Sequence, residues 1–168
     1  MKAAEDLSPH PDKGNRLSLD KSWLALLLQR GIGPFIPAAP VPPPELGRAV
    51  AQFNQGRYWE CHETLERLWL PERYPLRLFY HGLIKAAVGL LHLEGHNRRG
   101  AALKLRDAAY TLAPFLPGFM GIDVGSLRQG VEVRLSLLGR GGSTDWEAID
   151  GLTRVQLLPV VHHSQPGG

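Results

Sequence analysis

The sequence predicts an all-α fold: a compact bundle of about five antiparallel helices, with a disordered N-terminal tail and a proline-rich linker. Three observations point there. Apolar residues recur at helical spacing in successive segments between residues 45 and 139. Glycine, proline or asparagine marks the ends of those segments. No run shows the convincing alternation that paired strands require.

The elements follow in order. Residues 1–20 are polar and broken by prolines, which predicts disorder. The stretch "KSWLALLLQRG" reads as a short helix or docking segment anchored by Trp23. Six prolines between Gly33 and Glu45 make an extended linker, because each pushes its predecessor away from the helical region. Residues 1–44 are therefore tail, short helix and linker.

The helical domain is expected over 45–139. Leu46, Val50 and Phe53 define its first helix, which stops at Gly56. Tyr58 to Leu70 is the second, halted by Pro71, and Leu76 to Glu94 the third and longest, halted near Gly95. Asn97 is the expected N-cap of the fourth, with Ala101, Leu105, Ala108 and Leu112 in register. Ser126 to Leu138 is the fifth, with Gly139 as its stop. Residues 140–168 read as a loose tail opened by "GRGGSTD", although the apolar "VQLLPVV" can dock back on the bundle.

Composition narrows the function classes. At 168 residues with 43% apolar and 21% charged side chains, the chain suits one soluble domain. A net charge of only +3, without a dense Lys/Arg cluster, argues against a nucleic-acid partner. Arg98, Arg99, Lys104 and Arg106 read instead as the wet face of the fourth helix. The single cysteine, Cys61, rules out an intrachain disulfide framework and fits a reducing compartment. The most apolar stretch, Leu76 to Leu93, contains Arg77, His81, Lys85 and His92, which argues against a membrane span. With no secretory signal at the N-terminus, the expectation is a cytoplasmic protein with no membrane partner.

Chemistry concentrates in "ECHETLERLW", residues 60–69. It begins like the zinc-protease signature His-Glu-x-x-His, but Glu66 stands where a second histidine would be. A helix turns about 100° per residue. Tyr58, Glu66 and Trp69 then fall within about 40° of His62, and Trp59 and Leu65 within about 60°. Glu60, Thr64 and Arg67 take the opposite, polar side. His62 and Glu66 are thus expected on an inward aromatic face. Four apart, they either bond each other or jointly bind something. Their nitrogen and oxygen donors suit zinc, manganese or iron, but two ligands are too few for a metal site. Glu63 is expected in solvent at the border of this site, and Cys61 as a small buried apolar residue.

Further ligands would come from the third helix. Arg77, His81, Lys85 and His92 lie within about 40° of His81 around its axis. This stripe reads either as a solvent face or as the far wall of a groove opposite His62 and Glu66. His81 and His92 are roughly 16 Å apart along the axis, so either one, not both, could complete the pair. Lys85 becomes an acid, base or anion partner if it is desolvated.

The segments "FNQGRYWECHETLERLW", "FYHGLIKAAVGLLH" and "GFMGIDVGSL" resemble the domain of unknown function 309 family of bacteria and archaea. The family hallmark is His-x-x-x-Glu-x-x-Trp/Tyr, matched by His62, Glu66 and Trp69. The resemblance covers roughly residues 45 to 138. It implies a compact all-helical fold and a suggested metal-binding role for the His/Glu pair. It also implies that His92 matches a histidine often found after the apolar run. Glutamine is usual at the position of His81, so the chain departs from the family there.

Two functions compete. One is a metal-dependent hydrolase in which a divalent transition metal on His62 and Glu66 activates water, with Glu63 or Lys85 carrying protons. The other is a tetratricopeptide-like binding or scaffold module, in which His62, Glu66 and Trp69 fix a helix interface or line a groove for a small molecule or peptide. Whether the chain is an enzyme, and whether it forms a homo-oligomer, the sequence leaves open.

Overall fold

A computed structural model describes residues 16–139 and 143–160. They form seven α-helices: α1 (Arg16–Arg30), α2 (Pro44–Asn54), α3 (Tyr58–Trp69), α4 (Leu76–Glu94), α5 (Arg98–Leu112), α6 (Val124–Leu138) and α7 (Trp146–Asp150). A single 3-10 turn, Ala113–Phe115, extends α5. The fold is all-α, as the spacing predicts. Short turns make α2 and α3, α3 and α4, and α4 and α5 antiparallel neighbours. α2 packs on α3, α3 on α4, α4 on α5, and α5 on α6.

Local chemistry explains the helix ends. Pro44 opens α2, where its missing N–H costs nothing. Asn97 and Asp123 cap α5 and α6 by accepting from the amides of Gly100 and Ser126 at 3.0 and 2.9 Å. Gly139, at φ +69°, ends α6 in a conformation most residues avoid. Arg98 donates to the carbonyls of Leu138 and Gly139, tying the start of α5 to that end.

α4 is the central helix. Twelve of its residues are buried, including Phe79, Leu83, Ala86, Ala87 and Leu90. It approaches α5 closely because two of its residues lack side chains. A Cβ on Gly82 would lie 2.6 Å from Leu112 Cδ2, and one on Gly89 2.6 Å from Leu105 Cδ2. Each glycine is thus the socket for a leucine of α5. Phe79 meets Phe115 and Phe119 at ring separations of 5.3 and 4.9 Å and closes the core at that end.

Both ends of the chain depart from expectation. The tail predicted over 1–20 is helical from Arg16, and residues 1–15 lie outside the described residues. α1 is held by Trp23, Leu24 and Leu27, all in the core, and Trp23 meets Phe35 of the proline-rich segment edge-on at 5.3 Å. The loose tail predicted over 140–168 is ordered structure over 143–160. Asp145 caps α7, and Ile149, Val155 and Leu157 are buried. Asn54 bonds both backbone groups of Leu157, at 3.1 and 2.7 Å, so the apolar C-terminal segment does dock back. Residues 140–142 and 161–168 lie outside the described residues. Among the described residues no helix is long and apolar enough to cross a membrane.

Candidate functional site

α3 is turned in the bundle relative to expectation. Its buried residues are Tyr58, Cys61, Thr64 and Leu65, a face centred about 90° from His62. Thr64, expected on the polar side, is buried because its hydroxyl donates to Gln52 Oε1 at 2.7 Å between α2 and α3. Trp59, expected inward, is 58% exposed. Cys61 is fully buried as expected, and burial pushes its thiol up to about 12.

His62 and Glu66 therefore sit on the flank of α3, with side chains 19% and 43% exposed. They do come together: His62 Nε2 lies 3.0 Å from Glu66 Oε1. Trp59 covers the imidazole at a ring separation of 5.2 Å. His62 Nδ1 is buried with no hydrogen-bond partner among the described residues. Glu63 is exposed.

The additional ligands do not converge on this pair. Among the described residues, no group of three or more His, Cys, Asp or Glu side chains is placed to hold a metal. A catalytic zinc site takes three protein ligands and a structural one four, so His62 and Glu66 do not complete a shell here. His92 instead accepts from the Asn97 amide at Nδ1, at 3.2 Å.

The α4 stripe is neither a solvent face nor a wall opposite His62. Arg77 is 4% exposed. Its Nη1 donates to the carbonyls of Trp69, Leu70 and Glu72 at 3.1, 3.2 and 3.3 Å, and its guanidinium stacks 4.2 Å over the Trp69 ring. It thereby satisfies carbonyls left open at the end of α3. One turn on, His81 packs on the same tryptophan, with its ring 5.0 Å from that of Trp69. Trp69, the last residue of the hallmark motif, is what joins α3 to the stripe.

Asp20 of α1 completes the arrangement, and sequence reasoning missed it. His81 Nδ1 lies 3.3 Å from Asp20 Oδ2, without the alignment of a hydrogen bond. The Tyr74 hydroxyl donates to Asp20, and Trp23 stacks on the Tyr74 ring. Burial alone would raise the Asp20 carboxyl. The His81 ring, the Tyr74 hydroxyl and the nearby Lys85 outweigh it and hold the carboxyl below its ordinary value.

Residues 46–103 match the family Domain of unknown function (DUF309). The DUF309 segment runs from α2 into α5 and contains the His62, Glu66 and Trp69 motif. It bears out the family resemblance over a shorter stretch than the roughly 45–138 read from the sequence. An uncharacterized protein of Aquifex aeolicus (strain VF5) is 31% identical over 88 residues, covering 52% of this chain and 26% of that protein. The chain thus spans about a quarter of that relative's length. No solved structure matches.

Asp20 lies outside the DUF309 segment and borders a small cleft with Leu78 and Lys85 of that segment. The cleft has a volume of about 260 Å³ and is lined by Asp20, Leu24, Lys85, Asp107, Tyr110 and Thr111, among others. Lys85 donates to Thr111 Oγ1 at 3.3 Å and forms no ion pair among the described residues. Burial pushes its ammonium below the ordinary value, with Asp107 and Asp20 opposing. The desolvation on which the sequence made a chemical role for Lys85 conditional is therefore met.

That shift carries a pH signature. Between the lowered value and about 10.5, the unfolded chain binds more protons at Lys85 than the folded one, so stability rises with pH across that window. Relative to Lys85→Met, the wild type is expected to gain melting temperature as pH rises from about 7 to about 10. Thermal melts of both proteins across that range check this. A constant difference would mean that the ammonium is not desolvated.

Proposed function

We propose that this chain is a binding module built from helical hairpins, acting in the cytoplasm, with its ligand seat in the cleft between α1, α4 and α5. The observation that carries this reading is Lys85. It is half-buried, faced by two carboxylates it does not pair with among the described residues, and lines a cavity. A cleft of about 260 Å³ admits a group the size of one polar side chain, from a small molecule or a peptide. The paired helices α2/α3 and α4/α5 supply a tetratricopeptide-like frame. In this frame His62 and Glu66 are a structural pair joined along one helix through His62 Nε2, worth about 0.3–0.5 kcal/mol.

The metal-dependent hydrolase is the competing reading, and elemental analysis of tag-free protein separates the two. The expected result is no stoichiometric zinc, manganese or iron, with the same melting temperature before and after chelator treatment. Glu66→Ala is expected to lower stability by less than about 1 kcal/mol. A full equivalent of transition metal, lost in both His62→Ala and Glu66→Ala, would overturn the module reading in favour of the metal.

A further inference from the structure

A second cleft, sharing no residue with the one under α1, has a volume of about 480 Å³. It is bounded by the start of α3, the end of α4, α6, α7 and the segment after α7. Its charged and polar lining is Tyr58, Glu94, His96, Arg134, Asp150 and Arg154.

Its charges do not balance locally. Arg134, on α6, is 7% exposed, yet no carboxylate lies within ion-pair distance among the described residues. Its Nη1 and Nη2 donate to the carbonyls of Gly130 and Thr153 at 3.1 and 2.9 Å. These neutral acceptors position the guanidinium but do not neutralise it, and three of its five N–H donors remain. Removing an uncompensated cation from water is costly, and burial pulls the Arg134 guanidinium below its ordinary value.

A second guanidinium, that of the exposed Arg154, lines the same cleft. The bond to Thr153 fixes the residue before Arg154. The Arg154 guanidinium folds over Gly56, where a Cβ would lie 2.8 Å from it. Arg154 makes no hydrogen bond or ion pair among the described residues. Of the two acids in the cleft, Asp150 is already engaged. Both its oxygens meet His96 Nε2, at 3.1 and 2.9 Å, and Trp146 stacks on that ring at 4.3 Å. Glu94 is exposed and forms no ion pair among the described residues. The Tyr58 hydroxyl has no hydrogen-bond partner among the described residues. Burial and Glu94 raise its pKa, while Arg154 and Arg134 oppose them, and all four side chains line the same cleft.

We propose that this cleft binds a small molecule bearing an oxyanion, a carboxylate or a phosphate. Arg134 and Arg154 hold the oxyanion, and Tyr58 donates to it. The geometry suits the guanidinium fork, which matches both kinds of oxyanion. The volume falls within the range of small-molecule sites. Glu94 at the same cleft disfavours a second negative group on the ligand and favours an amine there.

Calorimetric titration of the full chain at low ionic strength tests this, using inorganic phosphate and, separately, glycine as probes. Saturable binding of at least one is expected, and the tighter of the two identifies the oxyanion. Arg154→Ala is expected to weaken it at least tenfold, and Tyr58→Phe severalfold, with melting temperatures unchanged for Arg154→Ala, since Arg154 contributes no bond to the fold. Flat titrations with both probes would overturn the proposal. So would binding that survives both substitutions unaltered.

Discussion

Phe79→Ala is expected to destabilise the protein by about 3–5 kcal/mol, lowering its melting temperature by roughly 6–20 °C. Phe79 is fully buried in α4, and its ring is bracketed by Phe115 after α5, Phe119 before α6 and Tyr80 on its own helix. Removing it leaves a cavity at the junction of three elements that cannot all move inward. Gly82, one turn further along α4, already holds α5 at contact distance through Leu112. The cost thus lies toward the upper part of the range for large-to-small changes. Denaturant melts of both proteins check it. A loss below about 1 kcal/mol would mean that the aromatic cluster collapses freely and is not the rigid end of the core.

Arg77→Ala is expected to cost about 3 kcal/mol, or roughly 6–12 °C. Arg77 is a buried cation whose acceptors are neutral carbonyls at the end of α3. Its loss takes a donor from the carbonyls of Leu70 and Glu72, leaves Trp69 O with the Glu72 N–H alone, and removes the cation from the face of Trp69. Arg77→Met keeps much of the stem volume but none of the donors, so it separates packing from capping. The two variants are expected to be similarly destabilised. Recovery of most of the stability by the methionine would show that packing rather than hydrogen bonding is what Arg77 supplies.

These residues also show how far the sequence could be read. α4 was legible to the residue, from Leu76 to Glu94, because Pro75 and Gly95 bracket an unbroken apolar run. The Asn97 cap was legible because its signal is local: a short polar side chain three residues before the amide it accepts. The inward face of α3 was not. Counting aromatics placed His62 inside, whereas a hydrogen bond from Thr64 to Gln52 on another helix makes the opposite side burial-compatible. Asp20 was missed for the same kind of reason. Its partners Tyr74 and His81 lie more than fifty positions along the chain, and nothing in the periodicity of α1 announces them. The His62–Glu66 contact was predicted by spacing alone, and the spacing alone could not say that no third ligand joins it among the described residues.

The two glycine sockets of α4 have a mechanical consequence. Gly82 and Gly89 lie two turns apart, and each receives a leucine from α5 at sub-contact distance for any added side chain. A pair of pegs in a pair of holes resists sliding as well as separation, since a shift along the axis would drive both leucines against side-chain-bearing neighbours. α4 and α5 therefore move as a single plate. The cleft under α1 and the cleft beside α6 both take part of their walls from this plate. Any change in the width of either must come from the other walls, α1 in one case and the start of α3, α6 and the segment from α7 to Arg154 in the other, so the two can open without reference to each other.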